Sequence, residues 1–449
     1  MSSCFRARLT PVITAASVLV LAACAGLPGQ NTSAPSAPPA TNESSPSTYT
    51  GVRERTRRIT DEERARLSEH LIEQLRNGAR ASYVISIRID DLEAYSVAVG
   101  TADIETGEDV GTRSLHRIAS MTKPVTAAAI MMLVEDGALS LNDPLSDYFP
   151  AFAEVRVATE LMAGHDGEID TAPLERPITI EHLMTHTAGM GYGFDTQTDL
   201  GALWVENSAY AGDGGLAERV TRLANAPLYF QPGERWFYSF SNDVLGAVIE
   251  QVSGQSLEAF MQARIFQPLG MVDTSFFPTE EQRERLVALH THGETGALIR
   301  VPDEDDPLRG ADVETGGAGL YSTADDFIRF GQMLANGGVL GDVRILSEDS
   351  VAAMTAVHVG LKKMPAGQAE IGLAHGYSLG VVTPLADGGA PAGGIPGDFS
   401  WGGAFDTDFF VSPALGLVAV TLTQELRSPS TPSGGSSDQR AILYEIARD

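Results

Sequence analysis

The sequence predicts a mixed α/β protein of the α+β kind: one antiparallel sheet flanked by helices, with a mostly helical insert. Three observations predict it. Strand-like runs stand early, at Ser82–Asp90 and Glu93–Gly100, and again late, at Phe399–Val411 and Gly416–Gln424. A helical pattern precedes the first pair, and another, Ser437–Arg448, follows the last. From about 140 to 300 the chain carries helical periodicity and Gly/Pro loops instead. Strands from both ends with helices between them imply a sheet closed by the termini.

The elements follow in order. Thr60-Asp61-Glu62-Glu63 is a capping box, and Leu67, Leu71, Ile72 and Leu75 form one apolar stripe. Together they predict an amphipathic helix over 60–79. Ser82–Asp90 and Glu93–Gly100 read as a hairpin around a turn. Proline is tolerated only in a first helical turn, so Pro124 sets the start of the next helix near Ser120. That helix runs through Val125, Ala128, Ala129, Met132 and Leu133 to Asp136-Gly137.

The N-terminal segment is read separately. Arg6 and Arg8 precede an apolar core, Val12 to Leu21, that is too short to span a membrane. Leu21-Ala22-Ala23-Cys24 resembles a lipobox, so residues 1–23 are expected to be a lipoprotein signal peptide and Cys24 the lipidated residue. Residues 24–57, rich in Pro, Ser and Thr, are expected to be a tether, and 58–449 the folded domain. The expected location is a bacterial membrane reached through lipid alone. Ala25 favours the outer one by analogy with lipoproteins, with the domain periplasmic or extracellular. Cys4 and Cys24 are the only cysteines, so the domain contains no thiol for a disulfide or a zinc site. Net charge is −28, and loss of Arg6 and Arg8 takes it to −30. Such a surface repels nucleic acid.

Lysine is scarce: Lys123, Lys362 and Lys363 stand against 28 arginines. A lone lysine three residues after Ser120, heading an apolar helix, points to a task arginine cannot perform. A desolvated lysine can lose its proton, whereas arginine stays charged. Residues three apart share a helix face, so Lys123 can accept the Ser120 proton. The helix dipole and first-turn N–H groups favour an oxyanion at Ser120.

Four blocks in order carry a family resemblance. They are His116–Val125 around Ser120-Met121-Thr122-Lys123, His186-Thr187-Ala188-Gly189-Met190, Pro232–Ser239 ending in Tyr238-Ser239, and Gly316–Thr323. The chain resembles the serine β-lactamase and penicillin-binding-protein superfamily, and more closely its family VIII carboxylesterase and class C β-lactamase-like branch. The resemblance implies a β-lactamase/transpeptidase-like fold and a serine hydrolase that needs no cofactor and no metal. It makes Ser120 the nucleophile, with Lys123 and Tyr238 as its partners. Phe240 stands where the lactamase Y-x-N motif has asparagine, and Asn242 lies two residues beyond. Trp401-Gly402-Gly403 occupies the place of K-[TS]-G, as in the esterase branch, and the N–H groups of Ser120 and Ala404 would form the oxyanion hole. Without that cation, the expected substrates are small neutral acyl esters, short in chain, cleaved through an acyl-enzyme. The alternatives are amide hydrolysis, as a β-lactamase or D-amino-acid peptidase, and a non-catalytic surface lipoprotein.

Other motifs are set aside. Gly376-Tyr377-Ser378-Leu379-Gly380 matches G-x-S-x-G, but no histidine follows His375 to complete that triad. His182 with His186, His290 with His292, and Asp303–Asp306 lack the further partners of a metal site.

Overall fold

Strands drawn from the two ends of the domain pair at the centre of one sheet. In this computed structural model residues 58–448 are described, apart from 91–93, 309–311, 361–362, 364–375, 377–394 and 433–434. The expectations for the signal peptide, Cys24, the tether and Ser378 lie outside the described residues.

Helix α1 (Asp61–Arg76) begins at Thr60, whose hydroxyl accepts from Glu63 N while Glu63 reaches back to Thr60 N, the capping box read from sequence. Strands β1 (Ser82–Ile89) and β2 (Tyr95–Asp103) form the expected hairpin, and a short β3 (Glu108–Asp109) extends it. The late strands are β4 (Phe399–Gly403), β5 (Thr407–Ser412) and β6 (Leu417–Leu422). The sheet order is β4-β5-β6-β1-β2-β3, antiparallel throughout, and β1 meets β6 with Val84 opposite Leu422.

Period-two alternation gives the sheet two buried faces. Tyr83, Ile85, Ile87, Phe410 and Ala419 pack against Leu67 and Leu71 of α1 and Leu443 and Ile446 of the closing Arg440–Arg448 helix. On the opposite face, Val84, Phe409, Val411 and Val420 meet the larger core, which includes Phe327 and Phe330 of the Ala324–Ala335 helix. Helix α2 (Thr122–Glu135) runs through that core, and every residue from Thr122 to Leu133 is buried. An apolar surface all round is what a central helix requires.

Two expectations need correction. Phe399–Val411 is two strands, not one: the chain reverses at 404–406, where Asp406 N bonds Gly403 O at 3.0 Å and Asp406 takes φ +58. Aspartate tolerates that left-handed conformation, and Arg80 Nε holds its carboxylate at 2.5 Å. The segment around Ser120 is also not yet α-helix. Ala119–Met121 is a 3₁₀ turn and α2 starts at Thr122, keeping Pro124 inside the first turn. The insert is helical, notably over Ser241–Ser253, but also holds strand pairs such as Arg156–Ala158 with Thr171–Pro173.

Candidate active site

Ala119 takes φ +45, a conformation a side chain rarely adopts, and it presents Ser120 at the head of α2. The turn is held from both sides. Ile118 N bonds Leu320 O at 3.1 Å, Leu320 N bonds Thr122 Oγ1 at 3.1 Å, and Thr407 Oγ1 donates to Ile118 O at 3.3 Å. Gly403 of β4 lies so close to the turn that a β-carbon there would collide with Ile118 O. Ala404, at the following reversal, packs in one apolar cluster with Ala119.

Three predicted residues converge. Tyr238 Oη donates to Ser120 Oγ at 2.8 Å, and Lys123 Nζ reaches the same oxygen at 3.3 Å. Trp401 lines the site from β4, its ring 5.8 Å from that of Tyr238. Tyr238 is also flanked by Trp236 at 6.1 Å, Phe194 at 6.4 Å and His186 at 4.9 Å, so its ring is fixed by packing.

Lys123 is completely buried. Its Nζ donates to Gly317 O at 2.7 Å and approaches Tyr192 Oη at 3.4 Å, with the Tyr238 ring centre 4.6 Å away. Burial pulls its amine down to about 7, and the Asp243 charge opposes that fall. Asp243, equally buried, is pushed up to about 6 by burial against the pull of Lys123.

Sequence reasoning missed Tyr192, Tyr210, Asp243 and the Gly317 carbonyl. Asp243 Oδ1 accepts from Gly317 N at 3.1 Å, Tyr210 Oη reaches Asp243 Oδ2 at 3.5 Å, and the Tyr192 and Tyr210 hydroxyls bond each other. One signal was available: an aspartate leading the apolar run Val244–Ile249, where a charge needs a partner. Phe240 packs its ring on Tyr192 at 4.7 Å and on Tyr210 at 5.2 Å. Asn242 Nδ2 donates to the Lys123 carbonyl at 3.4 Å, so this amide addresses the backbone of α2.

The residues set aside from metal binding have other partners. Thr179 N donates to His182 Nδ1 in a helix cap, His186 Nδ1 pairs with Ser239 Oγ, and His292 Nδ1 pairs with Glu425 at 2.7 Å. Asp303 and Asp306 bind Arg300 and Arg117.

The chain is similar to known proteins over most of its length. The Beta-lactamase family model matches residues 67–440. Esterase EstB of Burkholderia gladioli is 35% identical over 351 residues, 73% of this chain and 82% of that protein. Lovastatin esterase of Penicillium rubens is 32% identical over 354 residues, covering 74% and 85%. Among solved structures, EstCE1, described as a hydrolase with promiscuous acyltransferase activity, superposes with a TM-score of 0.69. It is 26% identical and covers 86% of this chain and 99% of its own.

Proposed function

The chain belongs to the beta-lactamase family of serine hydrolases, and we propose that it cleaves short-chain carboxylic esters through an acyl-enzyme on Ser120. The observation that carries this reading is the approach of a fully buried Lys123 and of Tyr238 to one hydroxyl oxygen. Neutral Lys123 takes the Ser120 proton as Oγ bonds to the ester carbonyl carbon. The oxyanion lies between the Ser120 turn and the end of β4, against the N–H groups of Ser120 and Ala404. As the intermediate collapses, the alcohol leaves with a proton delivered by Tyr238 or Lys123. Water then attacks the acyl-serine, giving up a proton to the same pair; the bond to Oγ breaks, the pair returns that proton to Ser120 Oγ, and the acid is released.

Two residues favour esters over β-lactams. Trp401 stands where a lactamase lysine would meet the substrate carboxylate, and Phe240 fills the asparagine position with a ring packed on tyrosines. EstB and lovastatin esterase, named for esterase activity, support the same choice. Turnover of p-nitrophenyl butyrate should exceed that of nitrocefin by a wide margin in kcat/KM, and a fluorophosphonate should label Ser120. Nitrocefin turnover equal to the ester's would favour a lactamase, and labelling that persists in Ser120→Ala would remove the nucleophile assignment. The Leu21–Cys24 pattern further supports a lipid-anchored protein, whose detergent-phase partition should be lost in Cys24→Ala.

A further inference from the structure

Asp243 is linked to Lys123 through groups other than Ser120. It is completely buried at the head of the Ser241–Ser253 helix. Both backbone polar groups of Gly317 are engaged between the two side chains. The N–H donates to Asp243 Oδ1 at 3.1 Å, and the carbonyl accepts from Lys123 Nζ at 2.7 Å. A second route runs through hydroxyls, from Lys123 to Tyr192 at 3.4 Å, on to Tyr210, and from Tyr210 to Asp243 Oδ2 at 3.5 Å. The clamp leaves no slack. A β-carbon at Gly317 would lie 2.5 Å from Asp243 Oδ2, and Thr126 Oγ1 ties neighbouring Gly316 O to α2 at 2.7 Å.

We propose that Asp243 is a positioning residue for the proton acceptor. Through Gly317 and the Tyr210–Tyr192 pair, it holds the Lys123 amine beside Ser120 and supplies the counter-charge that sets how readily that amine keeps a proton. The inference rests on Lys123 acting as base. A carboxylate buried without a partner is costly, and Lys123 is the cation that opposes the upward push of burial on Asp243. The other ionisable groups facing the pair are Tyr192, Tyr210 and Tyr238, with the His186 ring behind Tyr238. Burial raises the Tyr192 and Tyr210 phenols well above their ordinary value, so both remain hydroxyls and serve as links. Asp243 touches neither Ser120 nor the space in front of it in any contact above, so it acts through lysine.

The test is the pH profile of kcat/KM for p-nitrophenyl butyrate in the wild type, Asp243→Asn, Tyr210→Phe and Lys123→Ala. Asp243→Asn is nearly isosteric but removes the charge. Lys123 should then deprotonate more easily and be a weaker base. The acid limb should move about one pH unit or more toward acid while the plateau falls about tenfold. KM should change little, because no substrate contact is lost. Tyr210→Phe removes one donor to the carboxylate. It should shift the limb in the same direction by less; the residue as a whole is 42% exposed, with its hydroxyl end enclosed by Tyr192 and Asp243, so the fold should tolerate it should Asp243→Asn not fold. An acid limb that stays in place in every folded variant of the two overturns the inference, whatever happens to Tm. Lys123→Ala activity within about tenfold of the wild type would instead remove the base itself.

Discussion

The Tyr238 hydroxyl lies 2.8 Å from Ser120 Oγ, closer than the Lys123 amine at 3.3 Å, although lysine is the group whose pKa burial has brought near neutrality. In the proposed reaction distance and acidity divide the work: tyrosine would pass the proton toward the leaving alcohol, and lysine would receive it first. Tyr238→Phe retains the ring that packs on Trp236, Phe194 and Trp401, so folding should be unaffected. Its kcat for an alkyl ester should fall about 10²–10⁴-fold. For p-nitrophenyl esters, whose leaving group needs no proton, the loss should be smaller. Equal losses on both substrates would assign Tyr238 to attack on the carbonyl and not to departure of the alcohol.

Lys123→Arg should be as damaging as Lys123→Ala. Arginine keeps the charge but not the ability to release a proton near neutrality. The fully buried site between Gly317 O and the Tyr238 ring also has no room for a planar fork. Loss of a general base costs about 10²–10⁴ in rate, so an arginine variant retaining more than about a tenth of kcat would make Lys123 an electrostatic residue.

Much of this site was legible in the chain because its signals are local. Thr60 and Glu63 announce α1 by capping chemistry, and Pro124 brackets the start of α2. Ser120 and Lys123 are three residues apart, and Tyr238 stands in its own motif block. What stayed hidden depends on distant partners. Asp243 meets Gly317 across 74 residues, and Tyr192 meets Lys123 across 69, so neither contact leaves a spacing to read. The reversal inside Phe399–Val411 was masked for a related reason. Both arms are strand-like, and the left-handed Asp406 is held by Arg80 from the other end of the domain.

Glu425 should make stability fall with rising pH. Burial pushes its carboxyl up to about 8 against the pull of Arg80, so the folded protein holds this proton more tightly than the unfolded chain does. Stability from that proton is fully present below the unfolded value of 4.5 and is lost as pH rises through about 8. Lys123, lowered by burial, acts in the opposite sense above about 7, so comparison with a variant is needed to isolate the glutamate. Glu425→Gln can keep a hydrogen bond to His292 Nδ1 and cannot ionise. Its Tm should decline less between about pH 5 and pH 9, ending roughly 2 °C or more above the wild type at the alkaline end. Parallel Tm curves would mean that Arg80 keeps Glu425 ionised throughout.

Gly403→Ala should damage catalysis more than stability. The β-carbon would collide with Ile118 O on the Ser120 turn and with the Thr407 side chain across the hairpin. The threonine can rotate, but the carbonyl cannot, because the turn is held by Leu320 and by the strained Ala119. Strand β4 must then move away from Ser120, taking Ala404 and Trp401 with it. A displacement of about an ångström at a reacting centre costs about 10²-fold, so kcat/KM should fall to near that extent. Tm should drop only modestly, since among the described residues β4 pairs with β5 and no other strand. Gly402→Ala is the control: its β-carbon would stand 3.0 Å from Thr407 O, tight but away from the Ser120 turn. If the two variants lose activity equally, the need for glycine lies in strand pairing and not in the approach of β4 to Ser120.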